Sequence, residues 1–177
     1  MTGKILLVGA IRGLVSEGER VASMMGAEGI DAIAISVSPE GLVAMRETGS
    51  HTQAMKGPAN VEEEIYIEGL SKFGEVVKPP PCFTAALRCA DATNAPIEGL
   101  DMDDEHYTAA YCKYVTTLDM MRQGSSRKRL LRHVFSANTP ADFVMEWDRL
   151  VNRFNGYREL ENAREEWLAK GLVRLAG

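Results

Sequence analysis

Asp101, Asp103, Asp104, Glu105 and His106 bring four carboxylates and an imidazole into a stretch of six residues. Such a group can hold a hard cation through oxygen ligands or pass a proton between an acid and a base. The same residues also suit a plainer role, with Asp103 capping a helix and the following acids complementing its dipole. Asp101 stands apart because it ends a short apolar run, and site residues of open α/β folds collect at strand ends. His51 and His133 are distant from this cluster, and no H-x-x-x-H or H-E-x-x-H spacing assembles a zinc site. Ser36 lacks the G-x-S-x-G setting of an exposed nucleophile, and Gly9 to Gly13 form neither a dinucleotide nor a Walker fingerprint. A serine hydrolase and a Rossmann enzyme are therefore not expected. Cys82, Cys89 and Cys112 are odd in number and contain no CxxC pair, which suits reduced thiols packed as small hydrophobes.

The elements that must position these residues follow from the apolar pattern. Lys4 to Ile11 (KILLVGAI) is a continuous apolar run, as expected of a strand buried on both faces. Ser16 and Glu19 have the spacing of a capping box for a helix reaching about Gly29. Asp31 to Val37 (DAIAISV) repeats the buried-strand pattern, and Ser38-Pro39 supplies an N-cap and a first-turn proline. A β-α-β-α order implies parallel pairing. Gly49 to Ala59 reads as a loop, Asn60 and Glu63 as a cap for a helix ending near Gly74, and Cys82 to Thr93 as a further helix. Ile97 to Asp101 (IEGLD) is the third strand. Beyond Asp104 the pattern is helical throughout, over about 104–122, 126–136, 140–154 and 157–175, with Gly124, Thr139-Pro140 and Asn155-Gly156 as boundaries. Met120, Met121, Leu118, Tyr107, Tyr111 and Val115 are expected to pack into the core or against a second subunit. The fold class expected is α/β: a small parallel sheet of about three strands with flanking helices and an all-helical C-terminal half. It reads as one domain over 1–177, with an α/β part at 1–103 and a helical part at 104–177.

The net charge of −5 and pI near 5.3 argue against nucleic acid and anionic lipid as partners, since both attract clustered basic residues. The one basic run, Arg127-Lys128-Arg129 with Arg132, is shorter than the usual patch of about five to eight. No apolar run approaches the ~20 residues of a membrane-spanning helix. The N-terminus has no secretory pattern, so a cytoplasmic location is expected.

Strand one with its glycine turn, the segment DAIAISVSPEGLVAM, the stretch from Ile97 to Asp103 and the late helix ELENAREEWLAKGLVRL together resemble the TraB group. That group belongs to a superfamily with PrgY, GumN, Tiki, ChaN and erythromycin-esterase-like proteins. The resemblance implies a G-x-x-H motif after strand one and a Glu at the end of the second strand, which build a metal-dependent hydrolytic site. Here Gly9 is followed by Ala10, Ile11 and Arg12, the Glu position falls on Ser36, and the sequence stops at Gly177, where relatives continue into another strand. Arg12 offers only N–H donors and cannot ligate a metal, but it can grip a carboxylate or phosphate. The arginine of the late helix is retained as Arg164.

The expectation is accordingly a TraB-like protein without the metal-site residues, with no cofactor, acting as a binding or regulatory module for a small anionic ligand or a protein partner. Its ligand-binding residues are Arg12, Ser36, Asp101 and Arg164. A metal-dependent peptidase or esterase with an altered site, and a homo-oligomeric interaction subunit without a small ligand, are the alternatives. A homodimer is expected because Phe143, Val144, Trp147, Leu150, Val151 and Phe154 give the late helices more apolar surface than a short sheet covers.

Overall fold

The computed structural model describes residues 4–27, 29–47 and 61–177. The chain is mostly helical. Its elements are α1 (Val15–Ala27), β1 (Ile33–Ile35), α2 (Pro39–Glu47), α3 (Val61–Ser71), α4 (Pro81–Thr93), β2 (Ile97–Gly99), α5 (Asp104–Tyr114), α6 (Thr117–Leu130), α7 (Pro140–Val151) and α8 (Asn155–Ala176). The expected loop over Gly49–Ala59, the Asn60 cap and His51 lie outside the described residues. Among the described residues, no helix is long and apolar enough to cross a membrane.

β1 and β2 pair in parallel, with Ile33 opposite Ile97 and Ile35 opposite Gly99. Parallel neighbours need a long crossover, and here three helices lie between the two strands. The second and third of the expected strands thus form, while Lys4–Ile11 has no ladder partner among the described residues. Polar anchors explain why this segment lies against α1. The Ile11 N–H donates to Glu17 Oε2 at 3.2 Å, and the Gly9 carbonyl accepts from Arg20. Val8 and Ala10 pack on Val21, Cys82 and Ala85, while Ile5, Leu6 and Leu7 stay exposed.

Local chemistry also sets the helix ends. Val15 opens α1, so Ser16 falls inside the helix, and Glu17 instead satisfies an N–H ahead of it. Ser38 does cap α2, its Oγ accepting from Gly41 N–H at 3.1 Å. The break expected at Gly124 lies at Val115-Thr116, and α6 runs through Gly124. Thr116 and Asp119 form a capping box there, with Asp119 N–H donating to Thr116 Oγ1 at 3.1 Å and Thr116 N–H to Asp119 Oδ2 at 3.2 Å. A glycine in an exposed helix costs only about 1 kcal/mol, less than this box and the β-branched Val115-Thr116-Thr117 run require to be overridden. Asn155 and Gly156, expected as a stop, begin α8; α7 has already ended at Val151.

The core sits in two main groups. Ile33 and Ile35 of the sheet pack with Leu42, Ala86, Leu87 and Ala90 of α2 and α4. Leu14, Leu70 and Phe143 form the second, joined by Tyr66, Phe73 and Phe135. Phe143 is 1% exposed, its ring centroid 4.8 Å from that of Phe135 and 5.6 Å from that of Tyr66. Trp147 stacks edge-on with Tyr66 at 5.4 Å, so these α7 aromatics are covered by their own chain. The expected packing of Leu118, Met120 and Met121 is not found: all three are exposed on α6.

Candidate functional site

The sheet ladder continues beyond β2. Leu100 N–H donates to the Ile35 carbonyl at 2.9 Å and Asp101 N–H to the Val37 carbonyl at 3.2 Å. This register sets Ser36 and Asp101 at the C-terminal ends of adjacent parallel strands, the usual ligand-binding edge of open α/β sheets. Gly99 makes the approach possible, because a Cβ there would stand 2.6 Å from the Val37 carbonyl oxygen.

Arg12 reaches the same edge from the turn before α1. Gly13 takes φ +111°, a left-handed conformation open to glycine, and its carbonyl accepts from Val77 N–H at 2.9 Å. Tyr66 donates its hydroxyl to the Arg12 carbonyl at 3.2 Å. With its backbone so fixed, Arg12 extends Nη2 to the Ser36 carbonyl at 3.0 Å and to Ser36 Oγ at 3.1 Å. Its guanidinium carbon lies 5.2 Å from the centroid of the Phe83 ring, within cation–π range. Both Ser36 acceptors are neutral, and one nitrogen serves both.

Arg164 and Asp101 form the second pair. From α8, Arg164 Nε donates to Asp101 Oδ1 at 3.3 Å and Nη2 to Oδ2 at 2.5 Å, while Nη1 reaches Glu161 at 2.8 Å. The Asp101 side chain is 11% exposed. Burial works against the charge on Arg164, but the hydrogen bond from Asp101 and the charge of Glu161 outweigh it and hold the guanidinium above its ordinary pKa. Asp101 Oδ1 also accepts from Met102 N–H at 2.9 Å. A carboxylate so engaged is a poor general base, because each donor stabilises its charged form.

The structure therefore brings Arg12 to Ser36 and Asp101 to Arg164, two polar pairs on neighbouring strand ends. It separates the rest of the acidic run. Asp103 caps α5, accepting from His106 N–H at 2.8 Å with the His106 ring 2.7 Å away. Those two bonds hold its carboxyl below the usual range. Among the described residues, no group of three His, Cys, Asp or Glu is placed to hold a metal ion. His133 lies elsewhere, its Nε2 2.6 Å from Glu146 Oε1.

Several residues that build this edge escaped the sequence reading. Glu17 and Arg20, 2.7 Å apart, brace the turn that carries Arg12, and their i,i+3 spacing was a legible signal. Glu161 had the same spacing to Arg164. Tyr66 and Phe83 gave no signal, because they meet Arg12 only through the tertiary fold. No family model, curated protein or solved structure matches the chain.

Proposed function

We propose that this chain is a TraB-like binding or regulatory module that takes a small anionic ligand at the C-terminal edge of its sheet. Arg12 is the residue that grips the anion, Ser36 holds Arg12 in place and contributes a hydroxyl, and the Asp101–Arg164 pair forms the opposite wall. One observation carries this reading: Arg12 meets only neutral oxygens, through a single nitrogen, at a ligand-binding edge. Its other N–H groups have no partner among the described residues, and a guanidinium with free donors matches the two oxygens of a carboxylate or phosphate.

The hydrolase alternative draws less support, because Asp101 is engaged by Arg164 and Asp103 by the start of α5. Ser36 has no adjacent base among its hydrogen-bond partners, so nucleophilic chemistry finds no activating group there. The test is calorimetric titration of wild type and Arg12→Ala with inorganic phosphate and with citrate. The reading expects binding by wild type that weakens at least tenfold in the variant, with the melting temperature nearly unchanged. Equal binding by both proteins overturns it.

A further inference from the structure

The widest cavity among the described residues lies away from the sheet edge. It occupies about 460 Å³ on the outer face of α6, between that helix and the connector from α7 to α8. Arg122 and Arg129 contribute from α6 and Arg153 from the connector, while Leu118, Met121 and Phe154 supply apolar walls. No carboxylate lines it, in a chain whose net charge is −5. Elsewhere in the protein the well-placed arginines are paired: Arg20 with Glu17, Arg164 with Asp101 and Arg174 with Glu98. Arg122, Arg129 and Arg153 have no ion pair among the described residues.

Two details sharpen the chemistry. The Nε of Arg153 is buried without a hydrogen-bond partner, and a narrow recess of about 20 Å³, sharing Ser126, Arg129 and Arg153, continues from the cavity to Gln123, whose Oε1 is likewise unpaired. The Arg153 guanidinium also lies over the Phe154 ring, 4.4 Å from its centroid, which orients it at the cavity wall. Ser125 and Ser126 donate their hydroxyls back to the helix carbonyls of Met121 and Gln123, so the donors facing the cavity are those of the arginines.

We propose that this cavity is a second site, independent of Arg12, which binds an organic phosphate bearing an apolar or aromatic group. Three guanidiniums present several forked donors to the oxygens of a dianionic phosphate. The volume lies within the range of small-molecule sites, about 300–1,000 Å³, and exceeds what inorganic phosphate fills. Leu118, Met121 and Phe154 cover the apolar remainder, which also accounts for large apolar side chains standing exposed on α6.

The experiment is titration of the full chain with 1-naphthyl phosphate and, separately, 1-naphthol, in buffer of physiological ionic strength. Wild type is expected to bind the phosphate at least tenfold more tightly than the alcohol. The double variant Arg122→Gln, Arg129→Gln alters two exposed side chains, so it is expected to fold as wild type does and to bind 1-naphthyl phosphate at least tenfold more weakly. Arg12→Ala is expected to bind it as wild type does. Failure of wild type to bind, equal affinity for the alcohol, undiminished binding by the double variant, or loss of binding in Arg12→Ala would each overturn the proposal.

Discussion

Two arginines at one sheet edge have opposite circumstances. Arg164 is two-thirds or more covered and satisfied by two carboxylates, with 22% of its side chain exposed. Arg12 is exposed and touches no carboxylate. Removing Arg164 leaves Asp101 half-buried without its bidentate partner, and a lost charge-assisted hydrogen bond costs about 1.5–3 kcal/mol. Arg164→Ala is therefore expected to lower stability by about 2 kcal/mol in denaturant unfolding, and Arg164→Lys to recover little of it, since an ammonium cannot span both carboxylate oxygens. Arg12→Ala should lower stability by less than about 0.5 kcal/mol, the usual range for exposed substitutions. Equal losses for the two variants would contradict this contrast. The candidate residues were legible in the sequence as types and positions, but their pairing was not. Asp101 lies 63 positions from Arg164, and only the ladder beyond β2 brings them together.

At the scale of elements, the sequence located what local chemistry dictates and missed what tertiary contacts decide. Ser38-Pro39, Asp103 and Thr139-Pro140 start helices as their residue types require. Lys4–Ile11 has the apolar content of a buried strand, yet hydrogen bonds from Glu17 and Arg20 tie it to α1. Glu17 has its carboxyl held below the usual range, first by the hydrogen bond from Arg20 and also by the Ile11 N–H. A depressed native pKa contributes stability that is full above the unfolded value, about 4.3, and is lost as pH falls through the native value. Thermal stability should thus decline below about pH 4.3 less steeply in Glu17→Gln than in wild type. Identical acid limbs in the two melting profiles would show that Glu17 does not brace the turn. Gly99 carries a second prediction. In Gly99→Ala the new methyl meets the Val37 carbonyl, backbone that cannot rotate away, so a loss of about 1–3 kcal/mol is expected in denaturant unfolding. A neutral result would mean that β2 and the strand end after β1 do not approach so closely.

For the whole molecule, the argument for a homodimer changes its footing. Phe143 and Trp147, on which the sequence argument leaned, are covered within the chain by Tyr66 and Phe135. A dimer remains a proposal supported by Ile5, Leu6 and Leu7, which are 54%, 49% and 78% exposed in a row. Light scattering at micromolar concentration should give twice the chain mass of 19.4 kDa for wild type and that mass itself for Leu6→Lys, Leu7→Lys. A wild-type monomer would dismiss it. The central claim concerns the anion at the sheet edge, and amide chemical shifts test it most directly because they report where a ligand sits. On titration with inorganic phosphate, the account predicts saturable shifts centred on Gly13, Ser36 and Val37 that disappear in Arg12→Ala. Shifts absent from those amides, or persisting there unchanged in Arg12→Ala, would contradict it.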